Sequence, residues 1–268
     1  MSLLYLLENF FTHKDFLPPA SELWGTMFTP LHFIIAAIWL GLVVFFGIFI
    51  GKRSAKTIKY VFLVLWIFLV VLEITKIIWE GCAGKTINFE LGGVIPLYPC
   101  SIFMYAMPLV IWGKGLLRRA GHGYICTLGL LGGAINFIYP ATVLGNYSAL
   151  SFAGFQIFIY HGALVFCAMV LLISGQNSYK CVRDIKELFA PMIPFLAISI
   201  VANIVNFSPI NSDYMFFKLN SFFFAPIGAA LPTPVCVIIV YILYTIIHTA
   251  PYLPSFISSK LRKASTNG

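Results

Sequence analysis

PLHFIIAAIWLGLVVFFGIFIG, residues 30–51, holds no Asp, Glu, Lys or Arg. As a helix rising 1.5 Å per residue it is about 33 Å long, enough to cross a hydrocarbon layer of roughly 30 Å. A strand of that length has no place in an ordinary sheet. KRSAK (52–56) follows at once and closes the apolar run with a basic turn. Six further apolar runs lie at 58–79, 95–112, 121–138, 152–173, 188–207 and 229–249. The chain has 268 residues, 60% of them apolar and 10% charged, where a soluble domain carries about 25% charge. That composition excludes a disordered chain and argues against a soluble enzyme. The length is spent on seven helices and short loops. The expected fold is all-α: a polytopic seven-helix transmembrane bundle in the cell membrane. An extracytoplasmic segment covers 1–29, the helical domain 30–249 and a basic cytoplasmic tail 250–268. Residues 1–25 are expected to lie as a short amphipathic segment on the outer surface. They lack the basic, apolar and small-residue order of a cleaved signal peptide.

The net charge is +8, from 17 Lys and Arg against 9 Asp and Glu. In a membrane chain such an excess marks cytoplasmic loops rather than nucleic-acid binding. Alternate loops carry Lys52, Arg53, Lys56 and Lys59, then Lys114, Arg118 and Arg119, then Lys180, Arg183 and Lys186, and the tail adds Lys260, Arg262 and Lys263. Only Asp184 and Glu187 join them. The opposite loops hold Lys14, Lys85 and Lys218 among Glu8, Asp15, Glu22, Glu80, Glu90 and Asp213. The bias places the N-terminus outside and the C-terminus in the cytoplasm. The six cysteines (82, 100, 126, 167, 181 and 236) show neither a CxxC pair nor metal-ligand spacing. Gly47 with Gly51, and Gly129 with Gly133, read as close helix packing.

Polar residues inside hydrocarbon ask for a reason. His32, Glu73, Lys76, Cys100, Asn136, His161, Asn203 and Asn206 all fall in the outer half of their helices, and the inner half is nearly bare, with His248 at the inner rim. Glu73, Lys76 and Glu80 share one helix face. Lys76 is expected to pair with Glu73 and approach Glu80, either to fix packing or to orient substrate or protons. Cys100 stands in PLYPCS (96–101), where Pro99 favours a helix start. A thiol in a first turn meets free N–H groups and the positive end of the helix dipole. The plainer reading is a small buried packing residue. His161, roughly 13 Å into an apolar helix, is either a hydrogen-bonded packing residue or a base for a neighbouring thiol. The two depths differ by roughly 6 Å, a gap that helix tilt closes. His32 is read as interfacial or as a second polar contact in the same cavity. Asn203 and Asn206 most simply bond between helices.

Four segments together resemble the YwaF family of bacterial integral membrane proteins, related to animal transmembrane protein 164. They are MFTPLHFI (27–34), IPLYPCSIFMY (95–105), FQIFIYHG (155–162) and VNFSPINSDYMFF (205–217), in the family's order. Tyr98 stands where the family usually has histidine, and Asp213 where it has asparagine before Tyr214. The animal relative is regarded as a lipid acyltransferase working through a cysteine thioester. The resemblance implies Cys100 as nucleophile and His161 as base. The common depth of the polar residues, read separately, gives a polar pocket of His32, Glu73, Lys76, Asn136, Asn203, Asn206 and Tyr214. Membrane lipids would be the substrates, with no metal or other cofactor. The expected function is a lipid acyltransferase or lipid hydrolase. A small transporter or channel is the alternative, although the bare inner half offers it no continuous path. A seven-helix sensor has only the helix count in its favour, and the seventh run has no lysine for a retinal Schiff base.

Overall fold

The structure, a computed structural model, describes residues 8–17, 26–87, 95–180, 182–220 and 224–266. Glu22, Glu90 and Cys181 lie outside them, as does most of the expected surface segment 1–25. Among the described residues there is no strand. Six helical stretches are long and apolar enough to cross a membrane. They are α1 (Pro30–Gly51), α2 (Ala55–Cys82), α4 (Gly115–Leu144), α5 (Phe152–Ile173), α6 (Ile185–Asn206) and Thr233–Leu261. The last comprises α7 (Thr233–Thr249) and most of the tail helix α8 (Leu253–Thr266). A shorter apolar helix, α3 (Pro99–Trp112), stands between α2 and α4. Each expected run therefore carries a helix. The fourth starts earlier than its apolar pattern, because the turn Gly115–Arg119, with its two arginines, is already helical.

Local chemistry sets the helix starts. Thr29 accepts a bond from the His32 N–H just ahead of Pro30, Ser54 caps α2 through the Thr57 N–H, and Ser151 caps α5 through the Gly154 N–H. Each fills one of the donors a helix start leaves open. α5 is the central helix: 67% of its most apolar stretch is buried, against 11% for α2. α2 buries the stripe Ile58, Phe62 and Leu69, with Gly81 near its end, and turns Tyr60, Val64, Phe68 and Val71 outward. Outward apolar side chains on that scale need lipid around them. Gly47 and Gly51 let α1 lie against α5: a Cβ on Gly51 would stand 2.8 Å from Ile173, and one on Gly47 would stand 3.3 Å from Met169. Of the other glycine pair only Gly133 serves a helix seam, 2.8 Å in the same sense from the His161 carbonyl oxygen.

The loops gather at two ends. At one end Gly51 meets Ile173, and Gly115, Arg118, Arg119, Gly175–Ser178, Glu187 and Tyr252 surround a common cavity. This end holds the basic loops. At the other end residues 8–17 are bonded onto the bundle. The Phe152 N–H donates to the Phe10 carbonyl, the Trp79 indole N–H to the Phe11 carbonyl, and Lys14 reaches Glu80 at 2.9 Å. Glu80 also faces His13 and the Tyr147 hydroxyl. It therefore turns to the N-terminal segment rather than toward Lys76. Burial and the Glu80 carboxylate hold the Tyr147 phenol well above its ordinary value.

Candidate functional site

α3 begins inside the bundle. Pro96 and Pro99 remove two backbone donors, Tyr98 is extended, and a 3₁₀ turn over Pro99–Ser101 leads into the helix. Cys100 sits in that turn, half-buried. Tyrosine hydroxyls hold the carbonyls on either side of its peptide unit: Tyr124 of α4 donates to the Pro99 oxygen, and Tyr160 of α5 donates to the Cys100 oxygen at 3.5 Å. Gly132 of α4 faces the thiol; a Cβ there would lie 3.3 Å from Sγ. Asn136, one turn on, spends a donor on the Gly132 carbonyl. No carbonyl among the described residues accepts the Cys100 N–H.

The side of α5 that carries Tyr160 continues the site. His161 Nδ1 lies 2.9 Å from the Ile157 carbonyl oxygen, one turn back. A carbonyl only accepts, so Nδ1 carries the proton and the neutral ring keeps its lone pair on Nε2. Gln156 donates to Glu73 Oε2 at 2.9 Å, and Lys76 meets Glu73 Oε1 at 3.5 Å. Glu73 is an electrostatic neighbour of Tyr160, and Lys76 of His161. Cys100, Tyr160, His161, Gln156, Glu73 and Lys76 thus belong to one region among α2, α3, α4 and α5. No hydrogen bond joins the Cys100 thiol to the His161 ring among the described residues.

The remaining expected residues fall into two other places. His32 is fully buried, with Nε2 3.1 Å from the Phe137 carbonyl and Nδ1 accepting from the Phe28 N–H. It stacks on Phe33 and Phe158, on the α1 side of α4. Asn203 donates to the Tyr241 hydroxyl of α7. Asn206 grips the backbone of Tyr214 twice, donating to its carbonyl at 2.8 Å and accepting from its N–H at 2.7 Å. Both polar atoms of that amide are therefore engaged.

The grip folds the connection after α6 back into the bundle. Tyr214, Met215 and Phe217 are fully buried. Asn211, Met215, Phe216 and Leu219 all have left-handed backbone, with φ of 51°, 61°, 58° and 53°. Each such non-glycine residue costs of order 1 kcal/mol or more and persists where its surroundings fix it. Here Lys218 Nζ donates to the Asn206 carbonyl and Asn211, Asp213 accepts from the Lys218 and Asn220 N–H groups, and the Tyr244 hydroxyl donates to the Met215 carbonyl. The Tyr214 ring lies 5.0 Å from that of Tyr98, so this loop closes over the segment leading to Cys100.

Sequence reasoning missed the tyrosines at 124, 160 and 244, Gln156, and the depth of the 207–220 loop. It also placed His248 at a bare rim. His248 is fully buried beside Tyr124, with Nδ1 2.7 Å from the Thr127 hydroxyl. That hydroxyl donates to the Gly123 carbonyl, so His248 Nδ1 is the donor, and its Nε2 has no partner among the described residues. Thr127 lies in a π-helical turn, Ile125–Gly129, whose extra residue re-aims α4 beside Cys100. A threonine inside an apolar run and a histidine near a helix end gave no signal of the pairing.

Six helices long enough to span, most of them turning apolar side chains outward, define a multi-pass membrane protein. The sequence model of the TMEM164 family matches residues 27–252, from just before α1 to just past α7. The chain belongs to that family. No curated protein and no solved structure matches it.

Proposed function

We propose that this TMEM164-family protein is a lipid acyltransferase of the YwaF type, acting through a Cys100 thioester with His161 as base. α3 is read as a seventh, shortened crossing. The basic loops then place the C-terminus in the cytoplasm and the N-terminus outside. The observation that carries the reading is the position of Cys100. It occupies the first turn of a helix that starts inside the bundle, between two tyrosine-held carbonyls.

The chemistry balances without a cofactor. The Cys100 proton passes to His161 Nε2, and the sulfur attacks the carbonyl carbon of a lipid ester. The C–O bond breaks, the leaving alkoxide takes the proton from His161, and the acyl chain stays on sulfur. An acceptor hydroxyl then gives its proton to His161 and attacks the thioester. The new ester forms as the sulfur leaves and takes the proton back. The Cys100 N–H and the Asn136 amide, one turn beyond the Gly132 that faces the thiol, are assigned to the developing oxyanion. Asn206 is committed to Tyr214 and contributes by holding the loop. Glu73 and Lys76 set the charge around Tyr160 and His161.

Purified protein in nanodiscs, given a phospholipid with an isotope-labelled acyl chain and a lysophospholipid acceptor, should move the label to the acceptor. Cys100→Ala should lower the rate by about 10³-fold or more. Wild-type transfer by Cys100→Ala would overturn the reading. Release of free labelled acid, lost in the same variant, would identify water as the acceptor.

A further inference from the structure

The cavity at the basic end, about 440 Å³ in volume, is not used by the thioester chemistry. It begins at the first turn of α4, and Arg118 stands fourteen residues before Gly132, roughly 21 Å along the helix. It is lined by Arg118, Arg119, His122, Gln176, Glu187 and Tyr252, among others.

Its charges are unevenly matched. Arg119 meets the Glu187 carboxylate at 2.9 Å. Arg118 meets no carboxylate among the described residues. Its contacts are neutral and long: Nε to His122 Nε2 at 3.5 Å and Nη2 to Gln176 Oε1 at 3.4 Å. Accepting from a guanidinium leaves the His122 proton on Nδ1, which lies 3.0 Å from the Gln176 carbonyl; the ring is therefore neutral. The side-chain nitrogen of Gln176 is buried and has no acceptor. Asp184, the nearest other carboxylate in sequence, accepts from the Glu187 N–H as the cap of the following helix. Among the lining residues two guanidinium groups face one carboxylate, which leaves an excess of positive charge and no spare acceptor carboxylate. The volume falls in the range of small-molecule sites.

We propose that this cavity binds one phosphate oxyanion, such as a phosphodiester of charge −1, against the uncompensated guanidinium of Arg118. Arg118 supplies the planar fork that such a group prefers. The proposal stands apart from the Cys100 chemistry and holds whether or not that chemistry is right. The phosphate belongs either to an anionic lipid headgroup or to a soluble ester. A zwitterionic choline headgroup would bring a cation against the two arginines.

The test uses the full chain in detergent micelles and native mass spectrometry. The probes are dioleoylphosphatidylglycerol, dioleoylphosphatidylcholine and inorganic phosphate. Phosphatidylglycerol should be retained in preference to phosphatidylcholine. Arg118→Gln should weaken it at least about tenfold, and Glu187→Gln, which removes the opposing charge, should strengthen it. That gain cannot come from misfolding. Displacement of the lipid by millimolar phosphate, dependent on Arg118, would identify a soluble source; retention against phosphate would identify the membrane. Equal retention of the two lipids, or indifference to both substitutions, would overturn the proposal.

Discussion

Gly132 and Gly133 are neighbours on α4 with different jobs, and alanine at each should fail differently. At Gly133 a Cβ would stand 2.8 Å from the His161 carbonyl oxygen and 2.9 Å from Val165 Cγ2. The first is backbone and cannot rotate away, so α4 and α5 must separate by roughly half an ångström, at about 1–3 kcal/mol. At Gly132 the Cβ would stand 3.3 Å from the Cys100 sulfur alone. A side-chain atom yields by a few tenths of an ångström, at under about 1 kcal/mol, and alanine returns up to about 1 kcal/mol in helix propensity. Stability is read by unfolding in mixed micelles followed by helicity, and thiol access by the rate of maleimide addition to Cys100 mapped by mass spectrometry. Gly133→Ala should lose about 1–3 kcal/mol and keep the native alkylation rate while folded. Gly132→Ala should stay within about 1 kcal/mol and alkylate more slowly. A larger stability loss at Gly132, or an unchanged rate there, would refute the assignment of these two faces.

Three more outcomes follow from the same contacts. Asn206→Leu strands the buried N–H and carbonyl of Tyr214, and should cost about 2–5 kcal/mol and expose the 207–220 loop to protease. Thr127→Val removes the partner of His248 Nδ1 and should cost about 1–3 kcal/mol, measured as a fall in the thermal midpoint. Lys76→Met leaves Glu73 facing Gln156 alone. With both partners partly exposed, at 13% and 29%, the loss should be about 1–3 kcal/mol. Adding Glu73→Gln should recover part of it in a double-mutant cycle.

The scaffold was legible because hydrocarbon permits few solutions. The runs at 30–51 and 152–173 coincide with α1 and α5, since each ends at a cap or a basic turn. The Cys100 turn was legible from its prolines, and the Glu73–Lys76 pair from helical spacing. What stayed hidden were contacts between distant segments. Tyr124, Tyr160 and Tyr244 sit in apolar runs where an aromatic residue looks like packing, and only the fold shows which carbonyls their hydroxyls meet. The segment NFSPINSD (206–213) has the composition of a surface loop. Its dip into the bundle depends on left-handed backbone at Met215 and Phe216, for which non-glycine residues give no warning. His32 and His161 share a residue type and an apolar setting. Their ring nitrogens meet different backbones, His32 the Phe137 carbonyl of α4 and His161 the Ile157 carbonyl of its own helix.

The central claim is that Cys100 carries an acyl group. The most direct measurement is intact-mass and peptide mapping of the protein after incubation with an acyl-labelled phospholipid, with and without neutral hydroxylamine. The account predicts an adduct of one acyl chain on Cys100, removed by hydroxylamine, absent in Cys100→Ser and slow to form in His161→Ala. Label spread evenly over Cys82, Cys126, Cys167 and Cys236 as well, or an adduct unaffected by His161→Ala, would contradict it.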